Sequence, residues 1–407
     1  MPAPRRIAAA LAAIAVAAAV AGNATAAAVA KPCAAATNGV YLDTDLAVAQ
    51  RIAADERSGA AVSHALHTIA SDRVLASAVA RDDLAAIRSE LIVLLYNHEH
   101  IVRISVLRGG VVIEDVGGAN VLAPSSGTLR VGGREVGTFE FSIQDDLGYQ
   151  LLAQRLVGAD TVIRYQGQTV LEDVAAGSMA LPLRGTVRIG GSAYLVATIR
   201  TGRFPTGTLH ISLLVPVPVA ALARQPCGAV RTDALGAIAE HVYNEAIAGP
   251  GVTVARKAIA AAGTLTAAVV AHDDAAVRRD APALLANAHV SRLAVLIGDR
   301  VVADFGSSMP LVAPVPVALT DASGTDVGTV LISIQSVSGF YTVTSYLTGA
   351  FVLVRQGAQQ LAGQRRGPAS LPASGPLDYD GAHFDVFSFE GTRFPTGTLT
   401  IYLLVRV

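Results

Sequence analysis

The sequence predicts an α+β protein built from two copies of one unit, and three observations carry that prediction. The heptapeptide Arg203-Phe204-Pro205-Thr206-Gly207-Thr208-Leu209 recurs as Arg393-Phe394-Pro395-Thr396-Gly397-Thr398-Leu399. Flanking matches recur in the same order at a spacing of about 190 residues, the mark of a duplicated domain rather than a short solenoid period. They include Cys33 with Cys227, His100-Ile101-Val102-Arg103 with His289-Val290-Ser291-Arg292, and Ser142-Ile143-Gln144 with Ser333-Ile334-Gln335. Within each copy, apolar residues first recur at helical spacing and then alternate, so helices precede strands.

In the first copy, residues 31–43 read as an exposed lead-in. From Asp45 to about Ala70 the apolar positions Leu46, Ala49, Ile52, Val62, Leu66 and Ile69 follow a helical period, with Gly59 as the breaker. Asp72 is placed to cap a short helix through Val79, and Asp82 or Asp83 to cap another through Leu95. The period then changes to two. Ile101 to Leu107 and Val111 to Asp115 form a hairpin around Gly109-Gly110. Asp115 before a glycine reads as a turn residue. A Gly/Pro/Ser-rich loop spans Gly117 to Gly127. Strands follow at Thr128–Val131, Glu135–Ile143, Thr161–Tyr165, Gly185–Ile189, Ala193–Thr198 and Leu209–Val215, with a helix from Asp146 to Leu156. The second copy repeats this order, with helices at Asp233–Ala248, Val252–Ala262 and Ala275–Asn287. Its strands are Arg292–Ile297, Arg300–Ala303, Gly328–Ile334, Phe351–Arg355, Phe384–Glu390 and Leu399–Val405. Pro216 to Pro226 is the linker.

The chain is 407 residues long, 52% hydrophobic and 15% charged, with a net charge of -1. That balance gives no electrostatic reason to expect a nucleic acid partner. Arg5 and Arg6 followed by the Ala/Val-rich run Ile7 to Ala21, with small residues at Ala24-Thr25-Ala26, match a secretory signal peptide within residues 1–30; an uncleaved anchor is the alternative. In an exported chain the two cysteines, Cys33 and Cys227, are expected to form a disulfide between the two domain entrances; two free thiols are the alternative. The expected division is residues 1–30 as signal peptide, 31–218 as the first domain and 219–407 as the second.

The element order resembles extracytoplasmic PAS-like sensor domains of the Cache kind. The long helix leading to Asp82-Asp83, the helix-to-strand entry at His100 to Val106, and the Gly137 to Ile143 strand running into a helix carry the resemblance. It implies two tandem Cache-like domains, about residues 44–215 and 233–407. It also implies a small ligand held between the concave sheet face and its covering loops and helix.

The copies differ most sharply after the shared Ser-Ile-Gln. The first continues Gln144-Asp145-Asp146-Leu147-Gly148-Tyr149, the second Gln335-Ser336-Val337-Ser338-Gly339-Phe340. Carboxylates there suit an amine or other cation and the tyrosine suits stacking, while helix capping by Asp145 or Asp146 is the competing reading. Arg103 and Arg164 read either as bidentate carboxylate binders or as sheet-edge residues with solvated heads. The candidate ligand-binding set is thus Arg103, Gln144, Asp145, Asp146, Tyr149 and Arg164, all in the first domain. His98-Glu99-His100 lacks the i, i+4 spacing of a helical zinc motif, so no metal site is expected. The repeated Arg-Phe-Pro-Thr-Gly-Thr reads as a structural turn. No nucleophile elbow, Walker loop or Ser-x-x-Lys is present, and an enzyme is not expected. The expectation is an exported sensor-type protein binding an amino acid, amine or organic acid without a cofactor, its signal passed to a separate membrane-bound protein. A cell-envelope scaffold or protein-interaction module is the alternative.

Overall fold

The computed structural model describes residues 37–97, 101–119, 121–205, 207–217, 227–287, 290–363 and 366–407. The signal-peptide segment, Cys33 and His98 to His100 lie outside the described residues, as do the side chain of Cys227 and most of the linker.

The first half runs α1 (Thr37–Ser58), α2 (Ala60–Ser71), α3 (Arg73–Arg81), α4 (Leu84–Asn97), β1 (Arg103–Arg108), β2 (Val111–Gly117), β3 (Val121–Leu122), β4 (Ser125–Val131), β5 (Arg134–Ser142), β6 (Gln144–Asp145), α5 (Asp146–Val157), β7 (Asp160–Tyr165), β8 (Gln168–Glu172), β9 (Arg184–Ile189), β10 (Ser192–Gly202) and β11 (Thr208–Pro216). The second half follows with α6 (Cys227–Ala248), α7 (Pro250–Ala260), α8 (Gly263–Val270), α9 (Asp274–Asp280), α10 (Pro282–Asn287), β12 (Arg292–Ile297), β13 (Arg300–Gly306), β14 (Leu311–Val312), β15 (Val315–Thr320), β16 (Asp326–Ser333), β17 (Gln335–Ser336), α11 (Val337–Thr348), β18 (Phe351–Gln356), β19 (Gln359–Gly363), β20 (Gly375–Tyr379), β21 (Ala382–Thr392) and β22 (Thr398–Arg406).

Each half contains two large antiparallel sheets, where the sequence reading expected one. In the first half their orders are β2-β1-β5-β4 and β8-β7-β11-β10-β9; the second half repeats them as β13-β12-β16-β15 and β19-β18-β22-β21-β20. The division comes from the segment read as a loop. Val121 and Leu122 within it are fully buried and pair with Asp145 and Gln144. That two-stranded link, β3–β6, stands between the two sheets and is repeated as β14–β17.

Local chemistry explains the helix boundaries. α1 ends at Gly59, where a Cβ would lie 2.4 Å from the Asp55 carboxylate. Asp72 caps α3, its carboxylate accepting from the Leu75 N–H at 2.8 Å. Asp83 does the same for α4 through the Ala86 N–H, while Asp82 takes the left-handed conformation that closes α3. From Thr37 onward the expected exposed lead-in is instead part of α1, where Leu42 turns inward to 3% exposure. Asp115 is not a turn residue; it lies on β2 opposite Ser105.

The core is divided in three main parts. One packs α2 to α4 on the first sheet around Phe139 and Phe141, and its counterpart lies in the second half. The largest joins both halves, with α1 against α6, α5 against α6 and α1 against α11. The contacts are reciprocal. Arg51 donates to the Leu347 carbonyl at 2.5 Å, and its counterpart His241 places Nδ1 3.4 Å from the Leu156 carbonyl. Residue i meeting j while the equivalent of i meets the equivalent of j is the pattern of a two-fold interface, here within one chain.

Candidate functional site

The site begins at the shared Ser-Ile-Gln. The Ser142 hydroxyl donates to the buried Leu122 carbonyl at 2.5 Å, as Ser333 does to Val312 at 2.6 Å. This fixes the start of α5 and of α11 against the link strands. Asp145 then caps α5, its Oδ1 accepting from the Gly148 N–H at 2.6 Å; Ser336 performs the same task in the second half at 2.9 Å. Gln144 is half-buried and its amide lies over Gly148.

Asp146 is different. It is the first residue of α5, only 3% exposed, and its Oδ1 has no hydrogen-bond partner among the described residues. Burial, reinforced by Asp145, pushes its pKa up to about 6, and the charge of Arg203 draws it partly back. Gln150, one turn along the same face, is 4% exposed with an unpartnered Nε2. On β10 the side chains alternate. Leu195, Ala197 and Ile199 face the core shared with α1 and α5, which puts Thr201 and Arg203 on the same side. Thr201 Oγ1 is likewise buried without a partner. The Arg203 guanidinium stacks 3.9 Å from the Tyr165 ring centroid, and its N–H groups find no acceptor among the described residues.

The second half carries the same backbone with these groups removed. Val337, Tyr341 and Gly391 stand where Asp146, Gln150 and Thr201 stand in the first. Gln356 replaces Tyr165 and takes the hydrogen bond of Arg393. Tyr243 fills the interior, edge-on to Phe340 and Phe389 with centroids 6.1 and 5.8 Å away, and its hydroxyl oxygen accepts from the Thr392 N–H at 2.7 Å. Ala53, Tyr149, Ile199 and Gly202 hold those positions in the first half. At the start of α5 lies a cleft of about 240 Å³, lined by Asp145 and Asp146 together with Gly118, Ala119, Leu147 and Leu171.

Three members of the expected set belong elsewhere. Arg103 is a structural clamp. Its guanidinium grips Asp115 through Nε at 3.0 Å and Nη2 at 2.5 Å, donates to the Gly118 and Ala119 carbonyls, and lies 4.7 Å above the Phe204 ring. Arg292 repeats this with Asp304 and Phe394. Arg164 alternates to the opposite face from Ile163 and Tyr165, and holds Thr169 Oγ1 and the Gly177 carbonyl. Tyr149 is fully buried; burial pushes its phenol pKa up, and its hydroxyl donates to the Ala49 carbonyl at 3.2 Å. It anchors α5 on α1 and presents no face for stacking a ligand. Sequence reasoning missed Gln150, Thr201 and Arg203. Aligning the copies past Tyr149 would have exposed the first two, because Gln150 faces Tyr341 and Thr201 faces Gly391.

No protein-family model matches the chain, and no curated protein matches it by sequence. Among solved structures it is similar to the periplasmic domain of Vibrio cholerae LuxQ, at 12% identity and a TM-score of 0.30, covering 43% of this chain and 100% of that one. It is also similar to the ligand-binding domain of the Pseudomonas fluorescens chemoreceptor CtaA, solved with L-alanine, at 11% identity and a TM-score of 0.27, over 45% of this chain and 99% of that one. A third is the sensory domain of the Campylobacter jejuni chemoreceptor Tlp3, solved with isoleucine, at 9% identity and a TM-score of 0.28, over 46% and 93%. The chain itself is an α+β protein in which helices lead into antiparallel sheets twice over.

Proposed function

We propose that this chain is an exported, sensor-type binding protein that holds a small organic ligand in its first half. The carrying observation is the set of three buried polar atoms without partners in the first half, on Asp146, Gln150 and Thr201, of which Asp146 lines the cleft. A buried polar atom left unpaired costs about 1–3 kcal/mol, more when charged, so a ligand that satisfies several of them recovers a large free energy. The second half, with Val337, Tyr341 and Gly391 in their places, is the scaffolding copy.

The charges define the ligand class. Asp146 accepts from an ammonium group, and the stacked Arg203 offers its planar fork to a carboxylate. An amino acid carries both groups; an amine or an organic acid engages one of them. Gln144 and Asp145 frame the entrance, and Asp145 keeps its capping role. Binding is read out by a separate protein, with a membrane-bound signalling protein as the candidate recipient. Residues 1–30 act as the signal peptide, and residues 31–218 and 219–407 form the two domains.

Thermal-shift screening and calorimetry against amino acids, amines and organic acids test this reading, because a ligand specific for the native state raises its melting temperature. At least one class shifts the wild type, and Asp146→Val and Arg203→Ala remove the shift. A flat response across all three classes returns the chain to the scaffold reading.

A further inference from the structure

The two-fold relation between the halves creates two equivalent grooves where α1 meets α11 and where α6 meets α5. They are not closed in the same way. In one, Arg155 of α5 reaches Glu245 of α6 at 3.2 Å, with both side chains largely covered. At the other, the counterpart of Arg155 is Tyr346 and the counterpart of Glu245 is Asp55. Ala246 is also replaced, by Glu56. The first groove therefore pairs one guanidinium with one carboxylate, while the second has two carboxylates and no cation among its described lining residues.

That second groove is open, with a volume of about 590 Å³. Asp55 and Glu56 lie along one side of it, and Leu152, Leu156, Val343 and Tyr346 provide apolar walls. Arg51 is one turn away from Asp55, but it donates to the Leu347 carbonyl rather than to either carboxylate. Tyr346 is held to the side by its own hydrogen bond to the Arg51 carbonyl at 3.2 Å. Burial and the neighbouring Asp55 push the Glu56 carboxyl up to about 7, as expected for an acid with no counter-charge.

We propose that this groove binds an organic cation, a guanidinium or primary ammonium group on an apolar body, in the place that the Arg155 side chain occupies in the equivalent groove. The chain thus supplies its own template: an aliphatic stem along the leucines and a cationic head at the carboxylate. The volume suits such a small molecule. This site is separate from the Asp146 cleft and does not depend on the function proposed for it.

The test is calorimetry on the full chain carrying Asp146→Val, which removes the ammonium acceptor proposed for the other cleft, with n-hexylguanidinium and n-hexylammonium, and with n-hexanol as the uncharged control. Both cations bind saturably and hexanol does not. Tyr346→Arg restores the internal ion pair and abolishes binding. Asp55→Asn/Glu56→Gln weakens it by about tenfold or more, the effect of losing charge-assisted bonds, and keeps the test decisive should Tyr346→Arg fail to fold. Absence of saturable binding to the Asp146→Val chain overturns the proposal, as does binding that survives the further change Tyr346→Arg or the double carboxylate change.

Discussion

Asp146 and Val337 hold the same station, the first residue of α5 and of α11, beneath caps that differ in the accepting group, a carboxylate in one and a hydroxyl in the other. One half keeps a buried carboxylate with an unpaired oxygen there; the other keeps an aliphatic side chain. A buried charge is retained at a cost to stability, and the copy without it shows that the fold does not require it.

Asp146→Val is therefore expected to stabilise the ligand-free protein, by about 1–3 kcal/mol, while removing ligand binding. Urea unfolding monitored by circular dichroism measures the first effect and calorimetry the second. A destabilised variant that still binds ligand would falsify the assignment.

Arg103→Ala is expected to cost about 1–3 kcal/mol, since the clamp joins Asp115, two backbone carbonyls and the Phe204 ring in a partly covered setting. Arg292→Ala has an effect of similar size. Ligand affinity measured below the unfolding midpoint stays within a few-fold of wild type. A selective collapse of affinity with unchanged stability would return Arg103 to the binding site.

Tyr149→Phe is expected to lose one buried hydrogen bond to Ala49, about 0.5–1.5 kcal/mol, and to retain binding, since Phe340 fills the equivalent position without a hydroxyl. Abolished binding in a well-folded variant would show that the hydroxyl reaches the ligand.

Stability should fall as pH rises from about 5 to 8.5. Asp45 is 2% exposed with an unpaired Oδ2, and burial pushes its pKa up to about 8; Glu56 is pushed up to about 7 and Asp146 to about 6. A folded-state carboxyl pKa above the unfolded value means that the folded chain holds the extra protons in this window. Raising the pH through it therefore favours unfolding. Asp115 and Asp274 are held low by Arg103 and Arg300, so their stabilisation is lost only at more acid pH. Asp45→Leu, copying Leu235, raises the melting temperature more at pH 8 than at pH 5. Equal gains at the two pH values would remove Asp45 as the source.

The sequence by itself determined the duplication, the helix-then-strand order, the capping role of Asp72, a cap at Asp82 or Asp83, and the difference at Asp146, because these depend on local periodicity and short-range hydrogen bonding. Tertiary structure alone decided that Val121-Leu122 is a buried link dividing each half into two sheets. It also decided that Arg103 turns to Asp115 and that Tyr149 closes onto Ala49, and it left Asp146, Gln150 and Thr201 buried with unpaired polar atoms. Partners separated by 12 or 100 residues are chosen by how helices and sheets pack, and a polar side chain reveals whether it is paired only once its neighbours are assembled around it.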